Sequence, residues 1–380
     1  MTTMTIEKDG YTTRSWDAEA FELAQDLGAG AAAADQAGEI SVDAFAKLRA
    51  AGLTSALVPA ELGGGGASYA EMGQILRVLG RSDPSSVVTL SMHSHLVAAQ
   101  VWRHYHGQDA TAVLGKVAGG AVLISTGASD WVASNGTAQR VGGGYRVTAR
   151  KSPASGCEVG DVLVTSIRWD AAPSGPQVLH CSVPFRTAGV SIDKTWDTMG
   201  LRALGSHTVV LDNVFVPDAA VALIRPADQW HPVWNTVVGV ALPLIMSAYV
   251  GIADAAVAAS LEIARGRDAI HIVQLIGEML NAHTAGADVV DAMLNSSQNL
   301  RFDNTNEHAS KTLCRKTVAA DALIDTVRLA IELTGGLGYA RSSELERLYR
   351  DVHGCLFHPL PRAKQTRFSG NVALGQPPTD

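Results

Sequence analysis

The sequence is poor in cysteine, and the little it has is scattered. Cys157, Cys181, Cys314 and Cys355 stand far apart with no CxxC among them. That spacing excludes a disulfide framework and a structural zinc site, and it fits a reducing, cytoplasmic setting. A basic excess is missing too. Thirty Lys and Arg against 37 Asp and Glu leave a net charge of −7, so neither nucleic acid nor an anionic membrane is an expected partner. The opening MTTMTIEKDG lacks the basic, apolar, small-residue order of a signal peptide. Metal-ligand spacing is absent as well. His93, His95, His104 and His106 form i, i+2 pairs, which face different sides of a helix, and there is no HExxH. No metal is therefore expected. One histidine facing a cleft and one buried for structure are the readings left. Gly63–Gly66 lack the Lys-Ser/Thr of a phosphate loop, and LGAGAAAAD follows a helical pattern where a dinucleotide fingerprint would follow a strand.

Long apolar runs are nearly absent. The one present, Thr236–Ala259, holds Pro243 and Asp254 and has no flanking basic cluster. It reads as the central helix of a soluble bundle, apolar all round, rather than as a membrane span.

What is there falls into three textures. Residues 1–118 carry apolar residues at helical spacing, with Ser41 placed to cap SVDAFAKLRAAGL. From Ala121 the period changes to two. AVLIST, GTAQRV, YRVTARK, DVLVTSIR, QVLHCSV and HTVVLDNVFV are short β-rich runs, and GGGY at 142–145 reads as a hairpin turn between two of them. Residues 229–380 return to helical spacing. The predicted class is α+β: an N-terminal helical domain (1–118), a β-barrel or sandwich (119–228) and a C-terminal helical bundle (229–380). Two segments at strand ends, STGASD (125–130) and KSPASG (151–156), offer small hydroxyls to the heteroatoms of a flat cofactor, or else ordinary turn chemistry.

The most specific stretch is TWDTMGLRALGSHTVVLDNVFVPDAAV, a Gly-Leu-Arg turn followed by Gly-Ser and a strand ending in Val-Pro. With LVPAELGGGGAS, RSDPSSVVTLSMH and IELTGGLGYARSSELERLYRD, it resembles the acyl-CoA dehydrogenase superfamily over nearly the whole chain. The resemblance implies that family's helical–β–four-helix-bundle fold and a bound flavin, FAD or FMN. It also implies a homodimer or homotetramer with flavin at subunit interfaces. It places Ser125, Gly127, Ser129 and Ser155 at the flavin, and it brings Gly335, Gly336 and Gly338 toward a neighbouring subunit's cofactor.

Two departures matter. Family dehydrogenases abstract an α-proton with a glutamate shortly after the Arg-Asp pair, and the matching position here is about Pro359. Relatives that carry the base on the central bundle helix are matched by VVGVALPLIMSAYVG, which has no acid. The segment that grips the flavin diphosphate is shortened and lacks Gln-Phe-Gly. Arg265 and Arg267 are its remaining phosphate partners, or else a solvated helix end. His358, in contrast, resembles a position in the superfamily's flavin-dependent monooxygenases, the dibenzothiophene monooxygenase-like and two-component hydroxylases. There it joins an N-terminal-domain histidine and a β-domain serine, matched by His93 and Ser155. Neutral histidines suit handling of reduced oxygen near neutral pH. The implied activity is oxygenation of a small organic substrate with O2 and reduced flavin supplied by a partner reductase. The alternatives are acyl-thioester dehydrogenation with an unusual base, and a non-catalytic relative. The basic PRAKQTRFSG after His358 either closes over a phosphate or is a solvated tail, and the tail is the favoured reading.

Overall fold

The computed structural model describes residues 15–379. Five helices come first: α1 (Trp16–Ala37), α2 (Val42–Ala50), α3 (Tyr69–Gly80), α4 (Pro84–Tyr105) and α5 (Thr111–Ala118). Local chemistry sets their ends. The Ser41 hydroxyl accepts from the Ala44 N–H at the start of α2. Ser68 and Glu71 form a reciprocal capping box on α3. Asp83 accepts from the Ser86 N–H, with Pro84 as the first residue of α4.

Eight strands follow: β1 (Leu123–Ser125), β2 (Thr137–Val141), β3 (Gly144–Ala154), β4 (Val162–Trp169), β5 (Gln177–Pro184), β6 (Val190–Asp193), β7 (His207–Pro217) and β8 (Val221–Pro226). They form two four-stranded sheets, ordered β1-β4-β5-β8 and β2-β3-β7-β6. Only β1 with β4 is parallel; the other pairs are antiparallel. The Gly142–Tyr145 stretch makes the β2–β3 hairpin, as its glycines predict. Leu163, Ile167 and Leu179 of one sheet and Val209, Leu211 and Val214 of the other are buried.

The chain then runs through α6 (Val233–Ala264), α7 (Ile270–Ser296), α8 (Asn306–Thr334), the single-turn α9 (Gly336–Tyr339), α10 (Glu344–Val352) and α11 (Arg362–Ala373). The long apolar run lies inside α6, and 94% of its most apolar window is buried within the protein. Gly80 and Gly251 let α3 and α6 meet backbone to backbone. A Cβ on Gly251 would lie 2.3 Å from the Arg77 carbonyl oxygen. The one acid in the run, Asp254, accepts two hydrogen bonds from Arg77 and one from His283. The C-terminal stretch departs from the solvated tail expected of it. In α11, Phe368 and Gln365 fall three residues apart on one buried face, and Gln365 accepts from Thr317 of α8.

Candidate active site

A cavity of about 840 Å³ opens where the β sheets, α4, α6 and the segment after α10 converge. Its β wall begins at the end of β1. Ser125, Gly127 and Ser129 line it, and Gly127 presses so closely on the end of β3 that an added Cβ would sit 2.7 Å from Pro153 Cδ. Ser155 closes this wall and is buried, accepting a 2.7 Å hydrogen bond from Ser206. The four residues expected at a flavin from the β segments thus lie together on one surface.

The loop between β6 and β7 adds Trp196, Thr198, Gly200 and Leu201. Its fold is set from outside. The Trp196 indole donates to the Leu201 carbonyl, and the Leu201 N–H donates to Asp351 Oδ1 at 2.6 Å. Leu201 holds a left-handed φ of 50° that this buried carboxyl stabilises. Burial pushes Asp351 up to about 7. Arg350, beside it, pairs with Asp35 and Glu346 and donates to the Met199 carbonyl.

The opposite wall is helical. Val237, Ala241 and Ile245 of α6 give it an apolar face, and Tyr249 ends that row. The Tyr249 hydroxyl and His358 Nε2 share a 2.8 Å hydrogen bond, with the rings edge to face. Burial, reinforced by the Lys316 charge and by the neighbouring His95, pushes His358 down to about 3. His95 of α4 also lines the cavity. Burial lowers it to about 4, and its Nδ1 is buried without a hydrogen-bond partner. Both histidines are therefore neutral at neutral pH. Burial raises Tyr249 well above its ordinary value, which keeps it a phenol. No Asp or Glu is among the described residues lining the cavity.

Of the two neighbouring N-terminal histidines, the structure brings His95 rather than the expected His93 to the cavity. His93 lies outside the lining, buried, with Nε2 donating to the Thr54 carbonyl at 2.7 Å and Nδ1 accepting from the Leu123 N–H at 2.9 Å. Two residues along a helix is about 200°, so His93 braces α4 against the start of β1 while His95 faces the cavity. Arg265 is also outside the cavity, paired with Glu262 at the exposed end of α6. Gly335, Gly336 and Gly338 sit beyond the end of α8, away from their own chain's cavity. Sequence reasoning missed Tyr249, Ser206 and Trp131, which all line the cavity. Tyr249 did carry a signal, being the one phenol in a largely apolar run.

Comparison with known proteins gives one family. "Acyl-CoA dehydrogenase, N-terminal domain" matches residues 15–121 and "Acyl-CoA dehydrogenase, C-terminal domain" matches residues 237–355, stopping just short of His358. The putative acyl-CoA dehydrogenase YdbM of Bacillus subtilis is 26% identical over 91% of this chain and 93% of its own. The amino sugar nitrososynthase DnmZ of Streptomyces peucetius is 27% identical over 90% and 88%. Among solved structures, KijD3 in complex with FMN and a dTDP-amino-keto sugar superposes with a TM-score of 0.86 at 24% identity, covering 96% of this chain and 95% of that one. Dibenzothiophene monooxygenase TdsC of Paenibacillus sp. A11-2 superposes at 0.80 and 18% identity over 95% and 97%. These two likenesses show the same fold.

Proposed function

We propose, starting from the fact that this chain belongs to the acyl-CoA dehydrogenase family, that it is a flavin-dependent monooxygenase acting on a small organic substrate. The observation that carries this reading is the helical wall. It places two neutral histidines and a tyrosine where a dehydrogenase needs a carboxylate, and no acid lines the cavity among the described residues. Removing an α-proton requires a positioned acceptor of suitable pKa, whereas guiding oxygen to a substrate requires donors that can exchange a proton near neutrality.

The residues present fit a flavin. The cavity is within the size range of cofactor sites. Ser125, Ser129 and the Ser155–Ser206 pair offer hydroxyls along one wall, and Gly127 removes side-chain bulk between them. Trp131 and Trp196 flank the same wall. Bound there in reduced form, a flavin supplies the two electrons that split O2 between substrate and water. His358 holds a proton shared with Tyr249, His95 offers a second ring on the same wall, and the Val237–Ala241–Ile245 row receives the apolar body of the substrate. His93 is not part of this set.

FMN is favoured over FAD by the FMN-bound neighbour KijD3 and by the shortened diphosphate-gripping segment. A separate flavin reductase and O2 complete the system. A homodimer or homotetramer joined through the C-terminal helices would bring Gly335, Gly336 and Gly338, and the exposed Arg265, toward a neighbouring chain's cofactor. The likeness to YdbM favours the alternative, acyl-thioester dehydrogenation, and one experiment separates the two. With FMN, NADH and a flavin reductase under 18O2, indole as probe should yield an 18O-labelled product. Anaerobic bleaching of bound flavin by butyryl-CoA alone, without labelled product under 18O2, would reverse the assignment.

A further inference from the structure

Behind the β wall lies a group of buried charges that the site described above does not use. Arg225 of β8 is 1% exposed, Lys151 of β3 is 0% exposed and Asp130 is 4% exposed. Lys151 Nζ donates to Asp130 Oδ1 at 3.0 Å, to Ser134 Oγ and to the Asn135 carbonyl. The other carboxylate oxygen accepts from Thr126 Oγ1 at 2.9 Å. Among the described residues, no carboxylate accepts a hydrogen bond from Arg225. Its guanidinium donates to the carbonyls of Asp130, Trp131, Val132 and Pro226 and to His180 Nε2.

The neighbours do not balance it. Burial, then the Arg225 charge, push His180 down to about 3, so it stays neutral. Burial raises the Cys181 thiol to about 12, so it too stays neutral. Burial lowers Arg225 only to about 10. His231 is lowered by burial and by Arg225. Asp228 acts on Arg225 from outside, but its carboxylate and that of Asp170 are solvent-exposed and share the single Arg168 guanidinium, so water screens the one negative charge left over there. Two cations and one anion thus leave one net positive charge inside the protein.

The position of that charge gives it a use. Ser129 and Trp131 flank Asp130, and Ser152 and Pro153 follow Lys151; all four line the cavity. The charge therefore sits one residue behind the surface read above as the flavin wall, in a region of low effective dielectric where its field reaches into the cavity. Oxidised isoalloxazine is neutral, whereas the two-electron reduced form loses its N1 proton and becomes an anion near neutral pH. We infer that the Arg225–Lys151–Asp130 group is an electrostatic positioning element that makes this cavity select the reduced, anionic flavin over the oxidised one. The inference rests on the flavin reading and names the residues that would make the enzyme capture flavin already reduced.

The test reads affinity rather than turnover. Dissociation constants for oxidised and for dithionite-reduced FMN are measured anaerobically at pH 8 by fluorescence titration, and their ratio is compared between variants. Lys151→Gln leaves Arg225 balanced by Asp130. It should shrink the preference for reduced FMN about tenfold, the effect of a unit charge roughly 10 Å away at an effective dielectric of about 20. Adding Asp130→Asn to that variant restores one net positive charge, and the preference should return to within about twofold of the wild type. A purely structural role predicts the opposite, with the double change worse than the single and both flavin states weakened alike. An unchanged ratio in Lys151→Gln, or a double variant that fails to recover, overturns the inference. Arg225→Lys, which keeps the charge and should keep the ratio, serves the same end if the glutamine variant does not fold; a lost ratio there overturns it equally. Wild-type protein that binds FMN in neither state would instead remove the flavin reading itself.

Discussion

The two walls of the cavity are built by opposite means. The β wall is dense in hydrogen bonds: paired serines, a turn whose carbonyls are held by a buried guanidinium, and a glycine with no room for a methyl. The helical wall is apolar along α6, and its polar groups are concentrated in one tyrosine–histidine pair and one histidine with an unpartnered nitrogen. One wall is suited to hold a flat polar ligand in a fixed place. The other excludes water and keeps its few polar groups neutral and available to a second molecule. A low-dielectric wall also explains why those groups titrate so low: burial penalises the charged imidazolium.

Variants can break the comparison one wall at a time. The largest effect is expected from His358→Ala. If His358 moves a proton in the reaction and the β wall holds the flavin, as proposed, its loss should slow substrate oxygenation by about 10²–10⁴-fold while flavin affinity stays within about threefold. A steady-state assay paired with a flavin titration reads both, and equal losses in the two would mean that the walls do not divide the work. Next comes Gly127→Ala. Its Cβ would meet Pro153 Cδ at 2.7 Å, so the turn must shift. A displacement of about 1 Å should cost on the order of 10²-fold in kcat/KM, mainly through flavin binding. An unaffected flavin titration would detach this turn from the cofactor.

Acidification gives an effect of intermediate size. His93 and His95 are held near 4 and His358 near 3 by burial, against about 6.5 in the unfolded chain. The unfolded state therefore binds more protons below pH 6.5. Stability is full above that pH and is lost as pH falls toward 3–4, by on the order of 1 kcal/mol per histidine per unit. Melting temperature should be level from pH 7 to 8 and fall clearly at pH 5; a level profile to pH 5 would contradict the neutral, buried state. The smallest effect belongs to Tyr249→Phe. It removes one hydrogen bond to His358, about 0.5–1.5 kcal/mol, and should slow turnover by about three- to tenfold with little change in flavin affinity. A loss as large as that of His358→Ala would make the tyrosine itself the proton donor.

The β wall was more legible than the helical one. STGASD and KSPASG could be placed at strand ends because period-two alternation and turn residues are local signals, and the wall is made of those ends. The choice between His93 and His95 was not local. Helix geometry separates their faces, but which face meets β1 and which meets the cavity depends on how α4 docks. The Leu123 N–H that claims His93 lies 30 residues away. Tyr249 and His358 meet across 109 residues, a pairing that no pattern within either segment encodes. PRAKQTRFSG was misread because its charges dominate its composition, while two residues at helical spacing, Gln365 and Phe368, bury one face.

By itself the sequence determined the helical, β, helical order, through the switch between periods near 3.6 and 2, and it determined that the segment at Pro359 carries no acid of its own. It also set the inventory of charges. Only the tertiary structure decided which charges are solvated and which are trapped. Lys151, Arg225 and Asp130 come from separate strands and a turn and are ordinary residues in the chain. They become a buried group with an excess of one positive charge because sheet pairing and the packing of Trp131 against Trp234 remove them from water together.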